Sequence, residues 1–446
     1  MTKKRITAAC VSTLLLFLLL AGCSQSPGGG KYASSSKANP ASGVRGMTAA
    51  EPVLISNKDM DAAEPAVAAA GDGTVFVAWV EHRAAGEADV WLSHLDAEAK
   101  PLGASVRVNG QAGEAKAWHG DPPTIAVAPD STIYVGWTAR VPQAKHATTL
   151  YLSASRDGGR SFDAPVKVND DERPASHGMH SLAVATDGRI YVAWLDERNV
   201  APPPTLQSPQ PSKPNSAQKH VESNSEIFFA ASHDGGRTFS TNQRIAAEVC
   251  PCCKTSLAVG ADGRVYASWR QVLPGEFRHI AVAASTDGGR TFSPPAIVHD
   301  DKWQIAGCPV SGAALVAQTD GTLRVLWYTA GEAGPPGLYQ TQSRDGGRTF
   351  APRTALARSS GRGTPVLLAG GGDDQLRAVW EERGEGISNR IATAQLEDHA
   401  QQTPLSDMLA KAGELPVAAR TGEHLFVAYV SETDARRSVW LVRARK

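Results

Sequence analysis

Four times the chain writes nearly the same eight residues: Ser155-Arg156-Asp157-Gly158-Gly159-Arg160-Ser161-Phe162, Ser232-His233-Asp234-Gly235-Gly236-Arg237-Thr238-Phe239, Ser285-Thr286-Asp287-Gly288-Gly289-Arg290-Thr291-Phe292 and Ser343-Arg344-Asp345-Gly346-Gly347-Arg348-Thr349-Phe350. An Asp-Gly-Gly step between two β-rich runs supplies the positive φ of a hairpin turn, and Ser, Asp and Thr side chains can satisfy that turn's backbone groups. A larger pattern contains the octet. Seven times a short small-apolar run, a tight turn and a β-rich run close on an aromatic residue: Ala66 to Trp79, Thr124 to Trp137, Ser181 to Trp194, Ser256 to Trp269, Ala314 to Trp327, Val366 to Trp380 and Pro416 to Tyr429. The closing aromatics stand 58, 57, 75, 58, 53 and 49 residues apart. Repetition at such a period means one supersecondary unit packed against its own copies. Short strands of alternating polarity, four to a copy, make each unit an antiparallel four-stranded sheet. Asp157, Asp234, Asp287 and Asp345 are then structural, because four turns need four turn residues and one reaction does not need four equivalent acids.

The octet resembles the Asp-box, or BNR repeat, of sialidase-like β-propellers. That resemblance covers nearly all of residues 51–446 and implies an all-β, seven-bladed β-propeller of four-stranded antiparallel blades. Sialidases themselves usually carry six blades, so a six-bladed sialidase-like ring is the alternative. The seventh copy stops at Trp440-Leu441-Val442-Arg443, its third strand. Pro52-Val53-Leu54-Ile55 is therefore expected to come round from the amino end as the outer strand, closing the ring without a long exposed edge.

Residues 1–22 read as an export signal: Lys3-Lys4-Arg5, an apolar run from Ile6 to Leu20, then small residues. Leu20-Ala21-Gly22-Cys23 resembles the lipobox of bacterial lipoproteins, which implies cleavage before Cys23, palmitate-type lipid on Cys23 and a membrane anchor. Ser24 after the cysteine implies outer-membrane sorting, facing the periplasm or the cell surface. Residues 23–50 form a Ser-, Gly- and Pro-rich tether. With 45 basic against 45 acidic residues the chain has no global field to attract nucleic acid. A monomer is expected, with a metal ion, an envelope protein or a glycan as its partner.

By the same resemblance, the loops opening each first strand gather at the face opposite the octet turns. There the sequence reads Trp118-His119-Gly120-Asp121, His177-Gly178-Met179-His180, Cys250-Pro251-Cys252-Cys253 and Gly307-Cys308-Pro309. Cys250 and Cys308 each lie twelve residues before a turn Asp, at Asp262 and Asp320. His177 and Cys252 each lie ten before theirs, at Asp187 and Asp262. Equivalent offsets mean equivalent heights, so Cys250, Cys252, Cys253 and Cys308 are expected to converge with His119, His177, His180 and Met179. Thiolate, imidazole and thioether suit soft metals, copper above all and zinc next. An exported protein can equally hold disulfides, and a redox-active thiol pair is a third reading. The three pairings among four cysteines stay open.

The insertion 199–225, with six prolines and His220, reads as a lid or a tolerated loop beside that face. Sialidases are recognised by an arginine triad on the sialate carboxylate, a Phe/Tyr-Arg-Ile-Pro element, an Asp acid/base and a Tyr nucleophile with its Glu. This chain lacks the element, and Arg173 and Arg362 fall short of a triad. The expectation is a lipid-anchored binding propeller with a Cys/His cluster; whether it is an enzyme stays open at this point, the missing element leaning against it. An exo-α-sialidase-type glycoside hydrolase is the alternative, and an interaction scaffold with structural disulfides is a further one.

Overall fold

The computed structural model describes residues 46–144, 146–200, 224–358, 363–370, 375–383, 389–396 and 406–445. The expected signal, Cys23, most of the tether, most of the insertion including His220, and Arg362 lie outside these residues. Residues 46–446 form one compact unit of antiparallel sheet. No helix among the described residues is long and apolar enough to cross a membrane.

Five sheets follow the pattern of one repeat each, for example Asp61–Ala69, Val75–His82, Ala88–Leu95 and Val106–Arg107 in order. A larger sheet of eight strands is two repeats, whose ladders meet where Val249 pairs with Gln271. The last repeat is completed from the amino end: Val53 pairs with Leu441 and Leu54 with Trp440, as the truncated seventh copy requires. Thr48 and Ala49, assigned to the tether from sequence, extend this outer strand against Arg445 and Ala444.

Why each repeat forms a sheet is visible in its second strand. Val75–His82, Ile133–Arg140 and Ile190–Asp196 are buried on both faces, which favours β-branched and aromatic residues at every position. Each closes on an almost fully buried Trp: Trp79, Trp137, Trp194, Trp269, Trp327 or Trp380. A buried indole N–H needs an acceptor. Trp194 donates to Asp196 at 2.7 Å, Trp269 to Gln271 at 2.7 Å and Trp79 to Glu81 at 3.4 Å. The polar residue two positions after the Trp therefore anchors the sheet in these repeats, Glu81 and Asp196 included.

Apolar side chains fuse neighbouring sheets. Phe76, Val80 and Leu92 of the first repeat pack with Ile133, Val135 and Trp137 of the second. Similar clusters join each repeat to the next, and Val75, Val77 and Trp79 pack with Phe426, Val439 and Leu441 of the last. First strands meet their neighbours too, Glu414–Thr421 touching Asp61–Ala69.

The octet turns behave as turn devices. Asp157 accepts from Ser155 Oγ at 2.9 Å, the Arg160 and Ser161 amides at 3.0 Å, and Ser161 Oγ at 2.6 Å. The bond from Ser161 is the chief reason its carboxyl is held down to about 2. Asp234, Asp287 and Asp345 repeat the arrangement and are likewise held low, each first by its Thr hydroxyl. The closing Phe packs inward; Phe292 meets Phe229 edge-on at 5.0 Å.

Candidate functional site

The segments that open the first strands do gather. A cavity of about 310 Å³ is lined from every repeat, by residues such as Glu64, His119, Ser181, Cys252, Val310, Thr364 and Leu415. A neighbouring cleft of about 160 Å³ is polar, lined among others by Lys116, Trp118, Asp121, His177, Glu197 and Pro251.

All four cysteines converge. Cys252 is disulfide-bonded to Cys308, resolving the pairing that sequence left open. Cys250 Sγ lies 3.6 Å from Cys252 Sγ and 3.6 Å from Cys253 Sγ. Both free thiols are buried. The ligand atoms of Cys250, Cys252 and Cys253 all fall within 4.8 Å of one another, the one grouping of metal-ligating side chains among the described residues. While Cys252 is bonded to Cys308, a soft ion would find two thiols in it. Met179 packs in the same apolar cluster, held at φ 53° by backbone bonds to Asp121 and Thr255.

The histidines do not join the sulfurs. His177 is buried with Nδ1 on the Thr148 carbonyl at 2.5 Å and Nε2 at 3.1 Å from Asp171. His180 Nδ1 lies 3.3 Å from Asp121. His119 sits on the exposed rim, edge-on to Trp118 at 4.8 Å. His177 and His180 are each claimed by a carboxylate or carbonyl instead.

Two arginines absent from the sequence reading complete the sulfur cluster. Arg278 Nη1 is 3.0 Å from Cys250 Sγ. Arg270, fully buried, donates to the carbonyls of Ser311, Arg278 and Tyr328 and lies over the Trp303 ring at 4.8 Å. The hydrogen bond from Cys253, helped by both guanidinium charges and opposed by burial, brings the Cys250 thiol down to about 6. Burial pushes Cys253 well up, so it stays a neutral thiol. An arginine interrupting the apolar run Phe277–Ser285 was the available signal for this.

In the polar cleft Trp118 is 39% exposed, one of few large apolar side chains left so. Asp121 accepts from the Met179 amide at 2.6 Å and Thr138 Oγ1 at 3.1 Å. Burial raises the Glu197 carboxyl, against a hydrogen bond from Ser225. Burial lowers Lys116, and Lys254 of the neighbouring cavity falls to about 8 for the same reason. The two cavities and a third beside them hold one arginine among the described residues, Arg437, which is bonded to Asp61 and Glu64. That is no carboxylate-gripping triad.

The sequence profile of the BNR repeat-like domain family matches residues 73–361. No curated protein matches the chain. Among solved structures, a protein of unknown function from Dyadobacter fermentans aligns with a TM-score of 0.51 at 14% identity, covering 90% of this chain and 100% of that one. Polysaccharide lyase Uly1 aligns with a TM-score of 0.51 at 12% identity, over 85% of this chain and 89% of the other. The Hadza microbial sialidase Hz136 aligns at 0.48 and 15% identity, over 83% and 76%. At these identities the likeness is one of fold.

Proposed function

The chain belongs to the BNR repeat-like domain family, and from that premise we propose a glycan-directed protein of glycoside-hydrolase type, built as a closed seven-bladed propeller. Closure is supported by the contact of the last first-strand with the first and by the apolar cluster joining the two end repeats. In this reading the chain is held at a bacterial envelope by lipid on Cys23.

The polar cleft carries the functional reading. An exposed Trp at the rim of a polar cleft offers an apolar face to a sugar ring, with its N–H free for a polar edge. Two carboxyls line the same cleft in different settings, Glu197 and Asp121. Glu197, kept towards its acid form by burial, is suited to protonate a leaving oxygen. Asp121, fixed by a backbone amide and a hydroxyl, is held in place to face positive charge developing on the sugar. Among the described residues no triad of arginines lines these cavities, so the reading favours a glycan other than a sialate held through its carboxylate.

The test is purified protein against a panel of glycosides and polysaccharides, including uronate-containing, arabinan and sialylated members. Hydrolysis or binding of at least one is expected, with Glu197→Gln lowering turnover at least about 100-fold and Trp118→Ala weakening binding. Neither binding nor turnover across the panel would overturn the proposal.

A further inference from the structure

The four cysteines take no part in the glycan chemistry, and their arrangement exceeds what a structural disulfide needs. A disulfide that only ties Cys252 to Cys308 requires no third sulfur 3.6 Å from one of its atoms and no guanidinium on that third sulfur. Burying Cys250 among Met179, Val249, Trp269 and Val272 would by itself keep it an inert thiol. Arg278, 3.0 Å away, reverses this by stabilising the thiolate in a poorly solvated site. Arg270 places a second fixed charge nearby, its own hydrogen bonds going to carbonyl oxygens.

We propose that this cluster is a thiol–disulfide exchange centre, in which the Cys250 thiolate attacks Cys252 Sγ and delivers a reactive thiolate to Cys308. The Cys250–Cys252 bond forms as the Cys252–Cys308 bond breaks, and the electron pair leaves on Cys308 Sγ. No electron is gained or lost. Position then decides the outcome. Cys250 and Cys253 are buried, whereas Cys252 lines the central cavity and Cys308 is only half-buried. A disulfide arriving from solvent, small or on a protein, is attacked by Cys308: a mixed disulfide forms there and the other half departs as a thiolate. Cys253, its Sγ 3.6 Å from Cys250 Sγ, is held neutral by burial and is not itself the attacking group. Arg278 is a positioning residue, acting through Cys250. The Cys250-Pro251-Cys252 ring is small, so the exchanged form is the minor one and has to be trapped.

The experiment uses the full chain, unreduced and undenatured, treated with iodoacetamide or with glutathione disulfide and then mapped by peptide mass spectrometry. Alkylation or glutathionylation at Cys308 is expected, on molecules whose Cys250 and Cys252 are joined. Cys250→Ser should abolish modification at Cys308. Arg278→Gln should slow it at least tenfold at pH 7 and move its pH profile upward, while Arg278→Lys recovers part of the rate. Melting temperature is followed for every variant, so that a rate change in folded protein is separated from unfolding. An unmodified Cys308, or modification that persists in Cys250→Ser, overturns the proposal. So does purified protein carrying zinc or copper on four reduced thiols, which would make the cluster a metal centre.

Discussion

Gly158 is the first glycine of its octet and Gly289 the second of another, both at positive φ, and alanine at each asks how much the turn costs alone and how much packing adds. Gly158 has φ 77°, and a Cβ there meets nothing within 4 Å. Gly289 has φ 87°, and a Cβ there would lie 2.3 Å from Phe229 Cε1 and 2.5 Å from its Cζ. Phe229 is 1% exposed and wedged between Tyr191 at 5.8 Å and Phe292 at 5.0 Å, so its ring cannot step aside cheaply. A left-handed conformation costs an alanine about 1–2 kcal/mol, and that is the whole expected effect of Gly158→Ala. Overpacking a rigid core adds about 1–3 kcal/mol, which puts Gly289→Ala at about 2–5 kcal/mol. Urea unfolding followed by Trp fluorescence reads both variants against wild type. Equal losses in the two, or a smaller loss at Gly289, would refute the argument that the octets wedge neighbouring sheets together.

Asp157 has its folded carboxyl lowered from 3.8 to about 2, so its contribution is present above pH 4 and disappears as pH falls through the folded value; Asp157→Asn should flatten the pH 4 to 2 portion of the urea-midpoint curve. Glu197 is displaced the other way, so stability falls as pH rises from its unfolded value through the raised folded one. Glu197→Gln should therefore raise the melting temperature at pH 7 while removing turnover. Asp301, buried, accepts from Trp327 Nε1 at 2.8 Å and pairs with the largely covered side chain of Arg353. Asp301→Ala should cost about 3–5 kcal/mol in urea unfolding by leaving that guanidinium uncompensated, and a loss below about 1 kcal/mol would refute the pairing's importance.

The fold was legible because its signals are local and recur. Asp-Gly-Gly dictates a turn wherever it stands, and the run ending in Trp is buried on both faces wherever it stands. Even the missing outer strand could be found, since a seventh unit lacking one strand leaves Val53-Leu54 as its complement. The tether boundary was misplaced at Thr48–Ala49 because two residues carry too little periodicity to announce a strand. That Glu81 and Asp196 cap buried indoles is not legible, because exposure and indole capping look alike in sequence.

Repetition alone also led to the expectation that the four cysteines gather at one face, since equal offsets from equivalent turns imply equal heights. Height is one coordinate. Which side chain meets which depends on the approach of loops from different sheets, and no periodicity encodes that. Only the tertiary structure paired Cys252 with Cys308, sent His177 and His180 to aspartates, and brought Arg278 from a neighbouring strand onto Cys250. Backbone order follows from propensity along the chain, whereas side-chain chemistry follows from contacts between residues far apart in it.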